Sequence, residues 1–236
     1  MQGGTESAGG GFKKDRLSML NRLKSALPGL LRDQRLDSLE YVVVDVETTG
    51  LDMPPKALIF EIAAVRVTLD AELNHISSFV RPSLEIRPEV QELTGVYSHH
   101  IQNAPEPEQT LPGIFSFIEG SVFASYPLFF DHGHLNYACK KTLGKKLSGR
   151  KLCVRSLFEF LYPDPQPRSL EHALRMHEID LPHRHRALDD ALATARLLTV
   201  LLRISVNRGY THFYELIRDV NGYMYNRGHD AYHMRY

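Results

Sequence analysis

Three separated patches hold residues whose types and spacing could perform chemistry: Asp45 and Glu47 in YVVVDVETTG, Asp131 in ASYPLFFDHG, and His185 with Asp190 in HRHRALDDA. The run Tyr41-Val42-Val43-Val44 reads as a buried parallel strand. Side chains two apart on a strand share a face, so Asp45 and Glu47 point the same way. Thr48-Thr49-Gly50 ends the strand and opens a turn, and open α/β sheets bind ligands at the carboxyl ends of their strands. Two ionised carboxylates that close repel each other, and a hard divalent cation relieves the repulsion. Magnesium takes oxygen ligands and commonly uses one or two carboxylates plus substrate phosphate. Four acids suit two such ions roughly 3.5–4 Å apart, an arrangement that stabilises both the attacking and the leaving oxygen when a phosphodiester is cleaved. Alone, an Asp-x-Glu after a strand is more often a solvated strand end; the other two patches change that balance.

The third patch adds a base. Leu188, Leu192, Ala195, Leu198 and Leu202 recur at helical spacing, so a long helix is expected from near Ala187 to Ile204. His185 then lies on its approach and Asp190 in its first turns, where the helix dipole favours an ionised carboxylate. Asp189 and Asp190 stand about 100° apart on a helix, so one faces a metal and the other solvent. A histidine beside a metal site can deprotonate an attacking water near neutral pH.

With these residues in place, the chain resembles a DnaQ-like 3′→5′ exonuclease of the DEDDh type, the superfamily of the epsilon proofreading subunit of bacterial DNA polymerase III, ribonuclease T and oligoribonuclease. The likeness runs from about Leu39 to Leu202. DVETTGL matches the first motif, Phe130-Asp131 the core of the second, and His185-Arg-Ala-Leu-Asp-Asp190 the third. IFEIAAVRV resembles the family's second strand, and ELTGV its Leu-Thr-Gly segment. The resemblance implies a ribonuclease H-like α/β fold, a mixed sheet flanked by helices. It implies Asp45, Glu47, Asp131 and Asp190 as ligands of two divalent cations, Mg2+ or Mn2+, with His185 as general base. The substrate would be the 3′ end of single-stranded nucleic acid, releasing nucleoside 5′-monophosphates. Thr48, Gly50 and Leu51 would line the terminal-nucleotide pocket, with Leu93 and Thr94 nearby. A DNA polymerase subunit is the partner the resemblance suggests.

One departure stands beside Asp131. Five and four residues before it the family has His-Asn, whereas this chain has Tyr126-Pro127. Tyr126 thus takes a substrate-contacting position with a larger side chain, and proline lacks a backbone donor. His132, His134 and the pair His99-His100 raise the thought of zinc, but no cysteine or third histidine stands at a recognised ligand spacing, and the carboxylate-rich surroundings favour magnesium or manganese.

The elements that must position these groups alternate strand and helix. Strands are expected near 41–47, 58–68, 74–81 and 121–125, and helices near 110–119, 131–143, 154–161, 169–177 and 187–204. Residues 1–38 read as a Gly-rich flexible tail followed by an amphipathic basic helix, 39–204 as the exonuclease domain, and 205–236 as an aromatic and Arg-rich extension. In that extension Tyr210, Phe213, Tyr214 and Ile217 suggest one face of a final packed helix. Across 236 residues, 28 basic and 28 acidic side chains cancel, so nucleic acid would be held by a local groove rather than by a long-range field. Two cysteines make no disulfide framework, and with no apolar run of membrane length a cytoplasmic protein that avoids membranes is expected. Nothing in the sequence fixes the oligomeric state.

Overall fold

A computed structural model describes residues 34–228; the expected N-terminal amphipathic helix lies outside this range. The centre is a five-stranded sheet in the order β3-β2-β1-β4-β5. Its strands are β1 Tyr41–Thr48, β2 Ile59–Val67, β3 Glu72–Phe79, β4 Val122–Ser125 and β5 Lys151–Cys153. β1 pairs antiparallel with β2 and parallel with β4; β2 and β3 are antiparallel, and β4 and β5 are parallel. Eight α-helices flank it among the described residues: α1 Pro88–Thr94, α2 Ser98–Ile101, α3 Pro107–Ile118, α4 Leu128–Leu143, α5 Val154–Leu161, α6 Leu170–Met176, α7 Ala187–Asn207 and α8 Phe213–Asn226. This is the ribonuclease H-like mixed sheet that the motifs imply.

β1 is central because both its faces are apolar. Val42, Val44 and Val46 enter one core with Leu111, Ile114, Leu128 and Leu135 from α3 and α4. Tyr41 and Val43 enter the other, with Ala187, Ala191 and Leu198 from α7. Strand alternation then places Asp45 and Glu47 on the α7 face at the strand's carboxyl end. Small residues let the backbone of α7 lie close across β1 and β2: Ala187, Ala191, Ala195 and Thr194 are all buried. The pairing of β1 with β2 shifts register between Glu47 and Thr48, so the ladder is irregular at the site itself.

Three elements went unforeseen. β5 is only three residues long, and α1 and α2 are seven and four residues, too short for a periodic pattern to register. Pro88 in the first turn and Gly95 in the left-handed conformation at the end do bracket α1. The final helix forms, but its buried stripe is Phe213, Leu216, Val220 and Met224, while Tyr214 is exposed. Leu36 and Leu39 join the α7-side core, and Leu36 N–H donates to the Thr211 carbonyl, tying the start of the described chain to the approach of α8.

Candidate active site

The three motifs meet at the carboxyl end of β1. Asp131 lies in the first turn of α4, and its Oδ1 accepts the Val46 backbone N–H at 3.1 Å, which fixes the second motif to the first strand. Asp190 lies in the first turn of α7 and is buried, while Asp189 is less so. Its Oδ2 accepts the His185 backbone N–H at 2.9 Å. That bond holds His185 in the left-handed region, φ 61°, a conformation costly for a non-glycine residue and concentrated at functional sites. Ligand-capable atoms of Glu47, His185 and Asp190 all lie within 4.8 Å of one another. Asp45 belongs to the same cluster electrostatically, since Asp131, Glu47 and Asp190 all act on it.

Burial raises every one of these carboxyl pKa values, and repulsion within the cluster adds to it at Asp45, Glu47 and Asp131. Asp45 is held well above the usual carboxylate range, first by burial and then by Asp131, Glu47, Asp190 and Glu61. Burial, followed by Asp190, Glu61 and Asp131, pushes Glu47 up to about 8, against an opposing pull from Arg186. Asp131 is pushed to about 7 by burial, opposed by the Val46 N–H. Asp190 is pushed to about 6 by burial, opposed by the His185 N–H. The His185 imidazole goes the other way, lowered by burial and by Arg184, with Glu171 opposing. A buried oxygen-rich cluster of this kind, short of cations of its own, fits a hard divalent ion. A neutral imidazole at its edge is in the state needed to accept a proton.

Glu61 is a fifth carboxylate that the motifs did not reveal. It sits directly across the ladder from Glu47, is 5% exposed, and acts on both Asp45 and Glu47. Arg186 grips it, with Nε and Nη2 3.1–3.3 Å from its oxygens, and lies over the Phe79 ring. Since Arg186 follows His185 directly, this ion pair fastens the base-bearing segment to β2. The available signal was a lone acid inside a strand that is apolar apart from it and Arg66, IFEIAAVRV.

The expected pocket residues divide into framework and display. Thr48 is buried and its Oγ1 donates to the Gly50 carbonyl at 2.6 Å. Thr94 is buried too, donating to the Val90 carbonyl and accepting the Val96 N–H. Gly50 packs so closely on Arg87 that a Cβ there would stand 2.9 Å from the guanidinium Nε, and Arg87 in turn pairs with Asp52. Leu51 and Leu93, by contrast, are 76% and 50% exposed, so neither is core packing. Tyr126 is partly buried against the α7-side core, and its hydroxyl donates to the Arg168 carbonyl at 2.8 Å. His132 and His134 stand outside the acid cluster: their rings pack on Phe123 and Phe130, and burial lowers both pKa values to about 4. Among the described residues, Glu47, His185 and Asp190 form the one group of three or more such donors in ligating range.

Residues 42–198 match the exonuclease family model RNase_T. The chain belongs to this exonuclease family. Its three motifs are those by which it resembles the DnaQ-like 3′→5′ exonucleases. PolC-type DNA polymerase III of Bacillus subtilis (strain 168) is 31% identical over 200 residues, covering 83% of this chain and 14% of that protein. A putative bifunctional exonuclease/endonuclease of Mycobacterium tuberculosis is 34% identical over 191 residues, covering 78% of this chain and 30% of that protein. The chain therefore spans well under half the length of either relative. The fold is shared with Exonuclease X in complex with 5′ overhanging duplex DNA, at TM-score 0.59 and 24% identity over 70% of this chain and 93% of that one. It is shared too with the nuclease domain of 3′hExo, a DEDDh family member bound to rAMP, at TM-score 0.60 and 18% identity over 70% and 92%. Exonucleases of this type use divalent metal ions. No described helix is long and apolar enough to cross a membrane.

Proposed function

We propose that this exonuclease removes nucleoside 5′-monophosphates one at a time from the 3′ ends of single-stranded DNA, in a two-metal reaction of the proofreading or repair kind. The observation that carries this is the convergence of Asp45, Glu47, Asp131 and Asp190 around the carboxyl end of β1 with the His185 segment beside them. The four carboxylates would hold two Mg2+ or Mn2+ ions, which when bound supply charge stabilisation for the attacked phosphate and acidify the attacking water. His185 accepts the proton of that water at an imidazole nitrogen while the water oxygen bonds to phosphorus. The bond from phosphorus to the O3′ of the preceding nucleotide breaks. O3′ takes a proton from solvent water and leaves as the hydroxyl of the shortened strand, and the phosphate stays on the released nucleotide. Exposed Leu51 and Leu93 meet the terminal base, while Thr48, Gly50 and Thr94 shape the loops that display them. The partly buried ring of Tyr126 holds the loop before α4 through Arg168. The DNA assignment is supported by the PolC-type relatives, which are DNA polymerases by name. A polymerase subunit is accordingly the proposed partner, and the cytoplasm the proposed location.

Labelled single-stranded DNA and RNA of the same sequence, incubated with Mg2+ or Mn2+, test this directly. Mononucleotide release from DNA, lost in Asp45→Ala and His185→Ala, is expected. Faster release from RNA would reassign the substrate, and release that survives both substitutions would overturn the site.

A further inference from the structure

Just beyond the Leu93-Thr94 segment the chain presents three aromatic rings to solvent. Tyr97 is 43% exposed, and His99 and His100 are exposed as well. The Tyr97 and His99 rings lie nearly parallel, 13° between planes and 5.9 Å between centroids; His100 closes the group at 4.0 Å from His99. The display is rigid. Val96 and Ile101, on either side, are buried in a core with Phe60, Ile86 and Val90, and the Tyr97 N–H donates to His100 Nδ1 at 3.0 Å. Because Nδ1 accepts that bond, the hydrogen of a neutral His100 ring sits on Nε2.

The ledge is linked to the acid cluster through β3: Phe79, which packs on the same core as Val96 and Ile101, stands across the ladder from Glu61 and carries the Arg186 guanidinium over its ring. Tyr97 follows Leu93 by four residues, a span of about 14 Å at most. At a rise of about 3.4 Å per stacked nucleotide, that is no more than about four nucleotides from a base held at Leu93. The neighbouring exposed charges include the acids Glu89 and Glu92, which do not attract phosphate.

We propose that Tyr97, His99 and His100 form a stacking subsite for an unpaired nucleobase, two or three nucleotides upstream of the 3′ end. The proposal rests on the 3′-end reading of the acid cluster. Rigid, pre-placed aromatic faces accept any base, so the subsite adds length dependence rather than sequence preference. Its contribution is carried by ring contact, and should vary little with salt.

The test uses single-stranded DNA with 2-aminopurine at the first, third or fourth nucleotide from the 3′ end, with Ca2+ as the divalent cation. Fluorescence quenching is expected at the third or fourth position, lost in Tyr97→Ala and retained in Tyr97→Phe. Oligonucleotide affinity should fall about 5- to 100-fold in Tyr97→Ala, equally at low and high salt. In Mg2+, the ratio of kcat/KM for the oligonucleotide to that for thymidine 5′-monophosphate nitrophenyl ester, which is too short to reach the ledge, should fall by a similar factor. Unaltered quenching in Tyr97→Ala, or an equal loss on the ester, would overturn the subsite. Absence of any cleavage by the wild type would instead remove the exonuclease reading, leaving the quenching data to judge the ledge alone.

Discussion

Chelating divalent cations and scanning pH interrogates the carboxylate cluster on its own. Asp131 has its folded pKa near 7 against an ordinary 3.8, and Glu47 near 8 against 4.5. A carboxyl raised in this way holds a proton in the folded chain that the unfolded chain has already released. Its contribution to stability is complete below the unfolded pKa and is lost as pH rises through the folded one. Each extra proton held by the folded state tilts stability by about 1.4 kcal/mol per pH unit. Buried His132 and His134 act with the opposite sign, since their lowered pKa values cost stability as pH falls below 6.5, so the informative window lies above that. From pH 6.5 to 8, one proton shared among Asp45, Glu47 and Asp131, which titrate together because they repel one another, corresponds to a loss of about 2 kcal/mol. In a domain of this size that is a fall of about 4–8 °C in Tm.

Thermal melts in EDTA should show this fall, and millimolar Mn2+ should abolish most of it, because ligation needs the deprotonated carboxylates. Asp45→Asn sharpens the test. Removing a charge that the cluster repels should make the metal-free variant more stable than wild type at pH 8, while leaving it less responsive to Mn2+. A Tm in EDTA that stays level from pH 6.5 to 8, together with no effect of Mn2+, would refute the electrostatic account of the site.

Further expectations are narrower. His185→Gln should lower kcat about 100- to 10,000-fold, with thermal stability little changed, in single-turnover assays. Arg186→Met leaves Glu61 buried without its counter-charge and should cost about 2 kcal/mol in urea unfolding, the half-exposed arginine moderating the loss; adding Glu61→Gln should recover part of it, as a double-mutant cycle would read. Leu51→Ala and Leu93→Ala should raise KM several-fold while moving Tm by no more than about 1 °C, because both side chains are exposed. Tyr126→Phe should cost about 1 kcal/mol of stability through the lost bond to Arg168 and leave KM unchanged; a raised KM would place the hydroxyl in substrate contact.

The catalytic candidates were legible because their chemistry is tied to strong local patterns. A β-branched run ending in Asp-Val-Glu declares both a central strand and the face its acids share, and an Ala- and Leu-rich helix after His-Arg-Ala declares where Asp190 stands. What escaped was nonlocal. Glu61 looks like any strand residue until pairing sets it opposite Glu47, and Arg186 like any motif filler until α7 brings it across to β2. Short α1 and α2 carry no period of their own, yet they present Leu93 and Tyr97. The Tyr126-Pro127 departure shows the same division. Sequence identified a loop whose usual polar pair is missing, whereas the geometry supplies the replacement: the tyrosine hydroxyl anchors the loop to the Arg168 carbonyl, and Asp131 is held separately by the Val46 N–H. Because the two restraints are independent, the loop before α4 can change its side chains without moving the carboxylate that follows it.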